Sequence, residues 1–230
     1  MASDDEDEFD LVDFDAEPVS DLAKYDPPKH ERKKHKTTHL TDPLLKVHNY
    51  FLKQFACVNV LLCDNLSIRQ VLNYNASDKV ILPSNSFRDL ANDSKESVYV
   101  LRLINPKNLK QVYVSIDGFT NSEKKNEKIM YIPPWIMKHL AVKNNEMVHA
   151  DAVSVPKIIE VHIKVPEEVK RAEVNIKVIL EFLLRNHTLL FIGKIISYTM
   201  FEREYQFEVT HLKPSHVGII LNSDVRLDLV

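Results

Sequence analysis

The feature that most restricts this chain is a segment that occurs twice. Residues 79–90 read KVILPSNSFRDL and residues 129–140 read IMYIPPWIMKHL. Each is an apolar run, then a proline, then a short amphipathic stretch ending in leucine. Pro83 and Pro133 stand 50 residues apart, as do Leu82 and Ile132, Phe87 and Met137, Arg88 and Lys138, and Leu90 and Leu140. The same offset continues downstream, where it pairs Val98 with Val148 and Val100 with Ala150. Proline lacks the amide that a strand ladder needs, so it ends each apolar run as a strand. Phe87 and Leu90, like Met137 and Leu140, are three apart and share a helical face. Each unit is therefore strand, proline corner, short helix, strand. One such unit cannot bury both of its faces alone. Two of them interlocked about a pseudo-twofold axis can, and closing them into a small barrel removes exposed sheet edges. Between the units, Val98, Val100 and Arg102 alternate, and so do Val112, Val114 and Ile116, which predicts a hairpin. Gly118 is expected to open a polar loop that runs to Lys128.

The flanks read differently. Asp42 before Pro43 is a helix-start pattern, a capping side chain followed by proline at the first helical position. Leu44, Leu45, His48, Phe51 and Leu52 keep a helical spacing, so a helix is expected there, with a short strand over residues 57–62 after it. Beyond Pro156, Ile159, Val161 and Ile163 alternate as a strand, and Pro166, Glu167 and Glu168 are expected to open a loop. Asn175 is placed to cap a helix that carries Ile176, Ile179, Leu180, Leu183 and Leu184 on one stripe, with Asn186 as its stop. Strands over residues 189–192, 194–198, 205–210 and 217–221 follow, and Val225, Leu227 and Leu229 alternate at the end. The expected organisation is an arm over residues 1–41, a barrel over 42–155, and a smaller α+β subdomain over 156–230. The last two are parts of one composite domain.

Composition excludes several functions. The 230 residues are 44% hydrophobic and 27% charged, enough apolar material to bury a core. There are three glycines, Gly118, Gly193 and Gly218, too few and too scattered for a phosphate-cradling loop. The net charge of -3 gives no global field for nucleic acid, and no nucleic-acid partner is expected. No run approaches the roughly 18 apolar residues of a membrane span, so no membrane insertion is expected. The acidic start MASDDEDEFD is the opposite of a signal peptide, which points to the cytoplasm or nucleus. Cys57 and Cys63 then read as reduced, buried thiols. Within the arm, acidic residues dominate positions 4–21, and positions 29–36 read KHERKKHK. Blocks of like charge repel, so a disordered arm is expected, with Phe9, Leu11, Val12 and Phe14 as an apolar cluster among acids. Phe9 and Phe14 are the partner-docking candidates there, set against a plain solvated tail.

No catalytic, cofactor-binding or metal-ligating constellation is expected. His30, His35, His39 and His48 lie in or beside the charged arm without a rigid frame. Asp117 and Gly118 lack the remainder of an aspartic-protease loop and read as a hairpin turn. No serine or cysteine has a neighbouring base in a recognisable motif. Pro134, Trp135 and Met137 are candidates for an apolar contact patch, since aromatics and methionine are enriched at interface centres. The competing reading is that Trp135, the single tryptophan, covers one end of the barrel.

These segments resemble the N-terminal domain of the ubiquitin fusion degradation protein family. QFACVNV (residues 54–60) looks like its entry strand, residues 79–90 match its first proline motif, and YIPPWIMKHL (residues 131–140) is similar to its most recognisable signature. LLRNHTLLFIG (residues 183–193) and EYQFEVTHLKPSHVGIIL (residues 204–221) match its second half, so the resemblance runs from about Val47 to Val230. It implies a mainly β fold with an α+β part: a double-psi β-barrel followed by a smaller α/β subdomain. It implies a non-enzymatic adaptor that binds ubiquitin chains. Such an adaptor works with the valosin-containing AAA ATPase and its nuclear protein localisation co-adaptor, including at the surface of the endoplasmic reticulum. A barrel scaffold that docks partners but has lost ubiquitin binding is the alternative. Two departures stand out. Residues 75–78 read NASD where the family usually has glycines. Family members also run on into a tail rich in Phe and Gly that binds the ATPase and other partners, and no such run is present here.

Overall fold

The two proline-ended runs are strands of one closed ring. The computed structural model describes residues 42–91, 98–120, 128–172, 174–200 and 202–230, and all of them fall in one unit, Leu40–Val230. The arm with Phe9 and Phe14 lies outside the described residues, as do positions 121–127 of the expected loop after Gly118. Six strands make the ring: β1 (Lys46–Asn59), β2 (Lys79–Pro83), β3 (Val100–Ile104), β4 (Gln111–Thr120), β5 (Ile129–Ile132) and β6 (Glu146–Ser154). Their order around the barrel is β1-β5-β2-β4-β3-β6. Exchanging β1 with β4, β2 with β5 and β3 with β6 maps this order onto itself. β1 runs parallel to β5 with Val58 opposite Tyr131, and β4 runs parallel to β2 with Gly118 opposite Ile81. The antiparallel pair of β2 and β5 joins Ile81 to Tyr131, residues that are themselves 50 apart. In the pair of β3 and β6, Arg102 faces Asp151 and Leu101 faces Ala152, and the same offset exchanges these two pairs. A pseudo-twofold axis therefore passes through both pairings.

Three helices decorate the ring: α1 (Ile68–Asn75), α2 (Phe87–Ala91) and α3 (Pro134–Leu140). α2 follows Pro83 after a 3-10 turn at Ser84–Ser86, whereas α3 follows Pro133 directly. Leu90 and Leu140 are both fully buried, as the repeat predicts. The equivalence breaks one turn earlier, where Met137 is buried but Phe87 is half exposed and packs edge-on against Phe119.

The expected helix over residues 44–52 is corrected to the first part of β1. The register of β1 against β6 shifts between His48 and Leu52. A bulge of this kind changes which side chains face inward, and Phe51 and Phe55, four apart, are both buried with Cys57. Positions four apart share a side in a strand as well as in a helix, so this strand has imitated helical spacing. Asp42 caps no helix. Its carboxylate accepts hydrogen bonds from the Leu44 N–H (2.9 Å), the His216 N–H (3.3 Å) and the Ser215 hydroxyl, and lies 2.9 Å from His216 Nδ1. The hairpin turn expected at Asp117 and Gly118 is also corrected, because β4 continues through both to Thr120, with a register shift against β2 at Asp117. Asp117 instead accepts from the Tyr74 hydroxyl (2.8 Å) and pairs with Lys79 (3.0 Å).

The second part of the chain comprises β7 (Glu160–Lys164), α4 (Glu167–Arg171), α5 (Ile176–Leu184), β8 (Leu189–Phe191), β9 (Ile195–Met200), β10 (Arg203–Lys213), β11 (Val217–Ile219) and β12 (Arg226–Leu229). Four strands form a sheet in the order β12-β7-β10-β9, and β11 pairs with β8 in a separate ribbon. The loop expected at Pro166 is corrected to the short helix α4. Glu167 and Glu168 sit in its first turn and Lys170 and Arg171 in its last, matching the helix dipole, and Val169 is buried beneath. α5 forms as expected, with the Asn175 side chain accepting from the Val178 N–H (3.3 Å). Leu180, Phe207, Val209, Ile196, Val161 and Ile163 build the core between helix and sheet. Leu189, Phe191 and Val217 of the ribbon join the barrel core instead, so the ribbon packs on the barrel. Gly218 lies in this ribbon, where an added Cβ would stand 2.6 Å from the Pro156 carbonyl oxygen and 2.8 Å from Ile158 Cγ1. Gly218→Ala is therefore expected to cost about 1–3 kcal/mol through overpacking, read as a lower urea midpoint. An unchanged midpoint would mean that the strand shifts without cost.

Candidate functional site

Of the sequence-predicted contact residues, Trp135 falls at the seam between the barrel and the α+β part. Pro134 and Trp135 are half-buried and Met137 is buried in the barrel core. The Trp135 indole N–H donates to the Ser77 carbonyl oxygen (2.7 Å), tying α3 to the chain that leads into β2.

Behind Trp135 lies a buried charged cluster that the sequence reading missed. Asp78, Lys194 and His187 are all buried. The Asp78 carboxylate accepts from the backbone N–H groups of Thr188 (2.9 Å) and Leu189 (2.7 Å), from Lys194 Nζ (3.1 Å) and from the Ser115 hydroxyl (3.4 Å). Lys194 Nζ also donates to the Leu189 carbonyl (2.7 Å) and to His187 Nδ1 (3.1 Å), so its three hydrogens each have an acceptor. The ammonium stands 5.7 Å from the ring centres of Trp135 and of Phe191. Burial pushes the Asp78 carboxyl up, but Lys194 and the two backbone N–H groups outweigh it and hold the group below the usual carboxylate range. Burial, reinforced by the neighbouring Lys194, pushes His187 down to about 3. The cluster is thus an ion pair with a neutral imidazole. It clasps the residue before β2 to the turn between α5 and β8.

α1 stands over this seam. Its Ser67 N-cap forms a capping box with Gln70. One side of the helix, with Gln70, Asn73 and Tyr74, lines a polar cavity of about 210 Å3 shared with Arg185 and Asn186. Its C-terminal end borders a second cavity of about 160 Å3, lined by Trp135, Leu183, His187 and Ile195. The opposite side carries Ile68 (82% exposed) and Leu72 (61%), one turn apart. Leu61 and Leu62, on the 3-10 turn Val60–Leu62, are more than half exposed. Beneath them Val60, Cys63 and Ile81 form a small buried cluster with Tyr74 packed against it. Four large aliphatic side chains are therefore held out to solvent above this buried cluster. The S-x-x-Q signature at Ser67 and Gln70 was the signal available for this helix.

The thiols offer no nucleophile. Burial, with Glu146 nearby, pushes Cys57 up to about 12, and burial raises Cys63 as well. His48 is bonded to Ser154, and the other histidines named with it lie outside the described residues. No helix among the described residues is long and apolar enough to cross a membrane.

Residues 51–156, the barrel, match the family model described as Ubiquitin fusion degradation protein UFD1, N-terminal subdomain 1. The resemblance is to the ubiquitin fusion degradation family. Curated relatives named Ubiquitin recognition factor in ER-associated degradation protein 1, from Mus musculus, Homo sapiens and Rattus norvegicus, are each 23% identical over 182 residues. The match covers 78% of this chain and 57% of theirs, so the chain spans a little over half the length of these relatives. Their names describe a recognition factor. Within the matched segment, the Asp78 side chain anchors the clasp.

Proposed function

We propose that this chain is a non-enzymatic reader of ubiquitin chains. It helps hand ubiquitin-tagged substrates to a valosin-containing-type AAA ATPase, acting with the nuclear protein localisation co-adaptor, for extraction and proteasomal degradation. The observation that carries the reading is the family match over the barrel, residues 51–156. The ring is read as a double-psi β-barrel, a reading supported by its two parallel strand pairs and twofold order. Residues 42–155 and 156–230 are read as two subdomains of one composite domain, and the place of work as the cytoplasm, the nucleus and the cytoplasmic surface of the endoplasmic reticulum.

The ledge of Leu61, Leu62, Ile68 and Leu72 is the contact surface best suited to ubiquitin, with the Pro134 and Trp135 rim second. A ledge of four side chains fits a weak, transient contact, and linked ubiquitins raise the apparent affinity by tethering. In a chemical-shift titration, linked chains are expected to bind at least about tenfold tighter than single ubiquitin. Ile68→Asp with Leu72→Asp is expected to abolish both, with the circular-dichroism spectrum intact. No shift with either species at high concentration sinks the reading. Binding that survives the double substitution moves the contact to the Trp135 rim.

A further inference from the structure

Three side chains of types that can ligate a metal converge on the face of the four-stranded sheet that points away from its core. Val161 and Ile163 face the core, so Glu160 and His162, which alternate with them on β7, project from the other face. Asp228 sits opposite His162 on the parallel neighbour β12, and His211 sits opposite His162 on the antiparallel neighbour β10. Glu160 Oε1 lies 3.2 Å from His162 Nε2, and Asp228 Oδ2 lies 3.4 Å from the same nitrogen. The three donor atoms are all within 4.8 Å of one another. One imidazole nitrogen carries at most one hydrogen, so it cannot satisfy two carboxylates equally. A tetrahedral zinc ion with bonds of about 2.0–2.2 Å holds its donors about 3.3–3.5 Å apart, close to the two separations seen here. The His211 ring centre is 4.9 Å from that of His162, near enough for a side-chain rotation to bring a fourth donor.

We infer that this face binds a divalent transition-metal ion of the zinc class. His162, Glu160 and Asp228 are the ligands and His211 completes the set. Mixed nitrogen and oxygen donors favour zinc-class ions over calcium or magnesium. Lys213 (2.8 Å from Glu160 Oε1) and Arg226 (3.5 Å from Asp228 Oδ2) balance the carboxylates in the metal-free state. Both are long side chains with exposed ends, and they must swing away when the ion enters. The inference is independent of ubiquitin reading, since these residues lie apart from the α1 ledge.

The test is calorimetric titration of Zn2+ into chelator-stripped protein that carries His30→Ala, His35→Ala and His39→Ala, which removes the arm histidines as competing ligands. One saturable site of micromolar affinity is expected. His162→Ala and Asp228→Asn should each abolish it, and His211→Ala should weaken it roughly tenfold. Co2+ in place of Zn2+ should give the visible absorption of a tetrahedral site. Failure to saturate below millimolar Zn2+, or binding that survives His162→Ala combined with Asp228→Asn, overturns the inference.

Discussion

Replacing Lys194 with methionine should cost the fold about 3–5 kcal/mol, because it strands a buried carboxylate without its cation. The methionine stem fills nearly the same space, so the loss reports charge and hydrogen bonding rather than packing. Asp78 would keep the backbone N–H groups of Thr188 and Leu189, while the Leu189 carbonyl and His187 Nδ1 would lose their donor. Adding Asp78→Asn should restore part of the loss, since a neutral amide needs no counterion. Urea unfolding of the two single variants and the double variant gives the coupling between them. A Lys194→Met protein within 1 kcal/mol of the parent would mean that Asp78 is neutral or reached by water, contrary to its burial.

Acid should weaken the same clasp well before ordinary carboxylates titrate. Folded His187 is pushed down to about 3, while an unfolded histidine titrates near 6.5. Between these values the unfolded chain takes up a proton that the folded chain refuses, so stability falls as pH falls. The slope contributed is up to about 1.4 kcal/mol per pH unit. Asp78 acts in the same direction at lower pH, because its folded carboxyl is held below the usual range and its contribution fades as the pH drops through that lowered value. His187→Asn keeps an acceptor for Lys194 and removes the titration. Its stability profile between pH 7 and pH 4 should be flatter than the parent's by about one proton. Parallel profiles for the two proteins would remove His187 from the acid response.

The barrel was legible because a repeat reports tertiary symmetry directly. Pro83 and Pro133 mark equivalent strand ends, and the offset they define reappears as the pairing of Ile81 with Tyr131. The α5 cap at Asn175 was legible too, since capping is local. β1 was misread because Phe51 and Phe55, four apart, share a side in a strand as they would in a helix. α4 was misread because five residues between a proline and Ala172 give periodicity too little length. The clasp left no sequence signal, as Asp78 and Lys194 stand 116 residues apart and neither belongs to a motif. The ledge on α1 had a partial signal, the capping box, but its exposed Ile68 and Leu72 look like core positions until the fold shows which side is covered.

The ring order has a consequence for how the chain is made. Both neighbours of β1 are β5 and β6, and Lys46 pairs with Ser154 at the far end of the barrel. At translation rates of about 5–20 residues per second, β1 leaves the ribosome roughly 5–20 s before β6 arrives to pair with it. During that interval the strand bearing Phe51 and Phe55 has an open edge and an uncovered apolar side, so the nascent chain is one that chaperones are expected to hold.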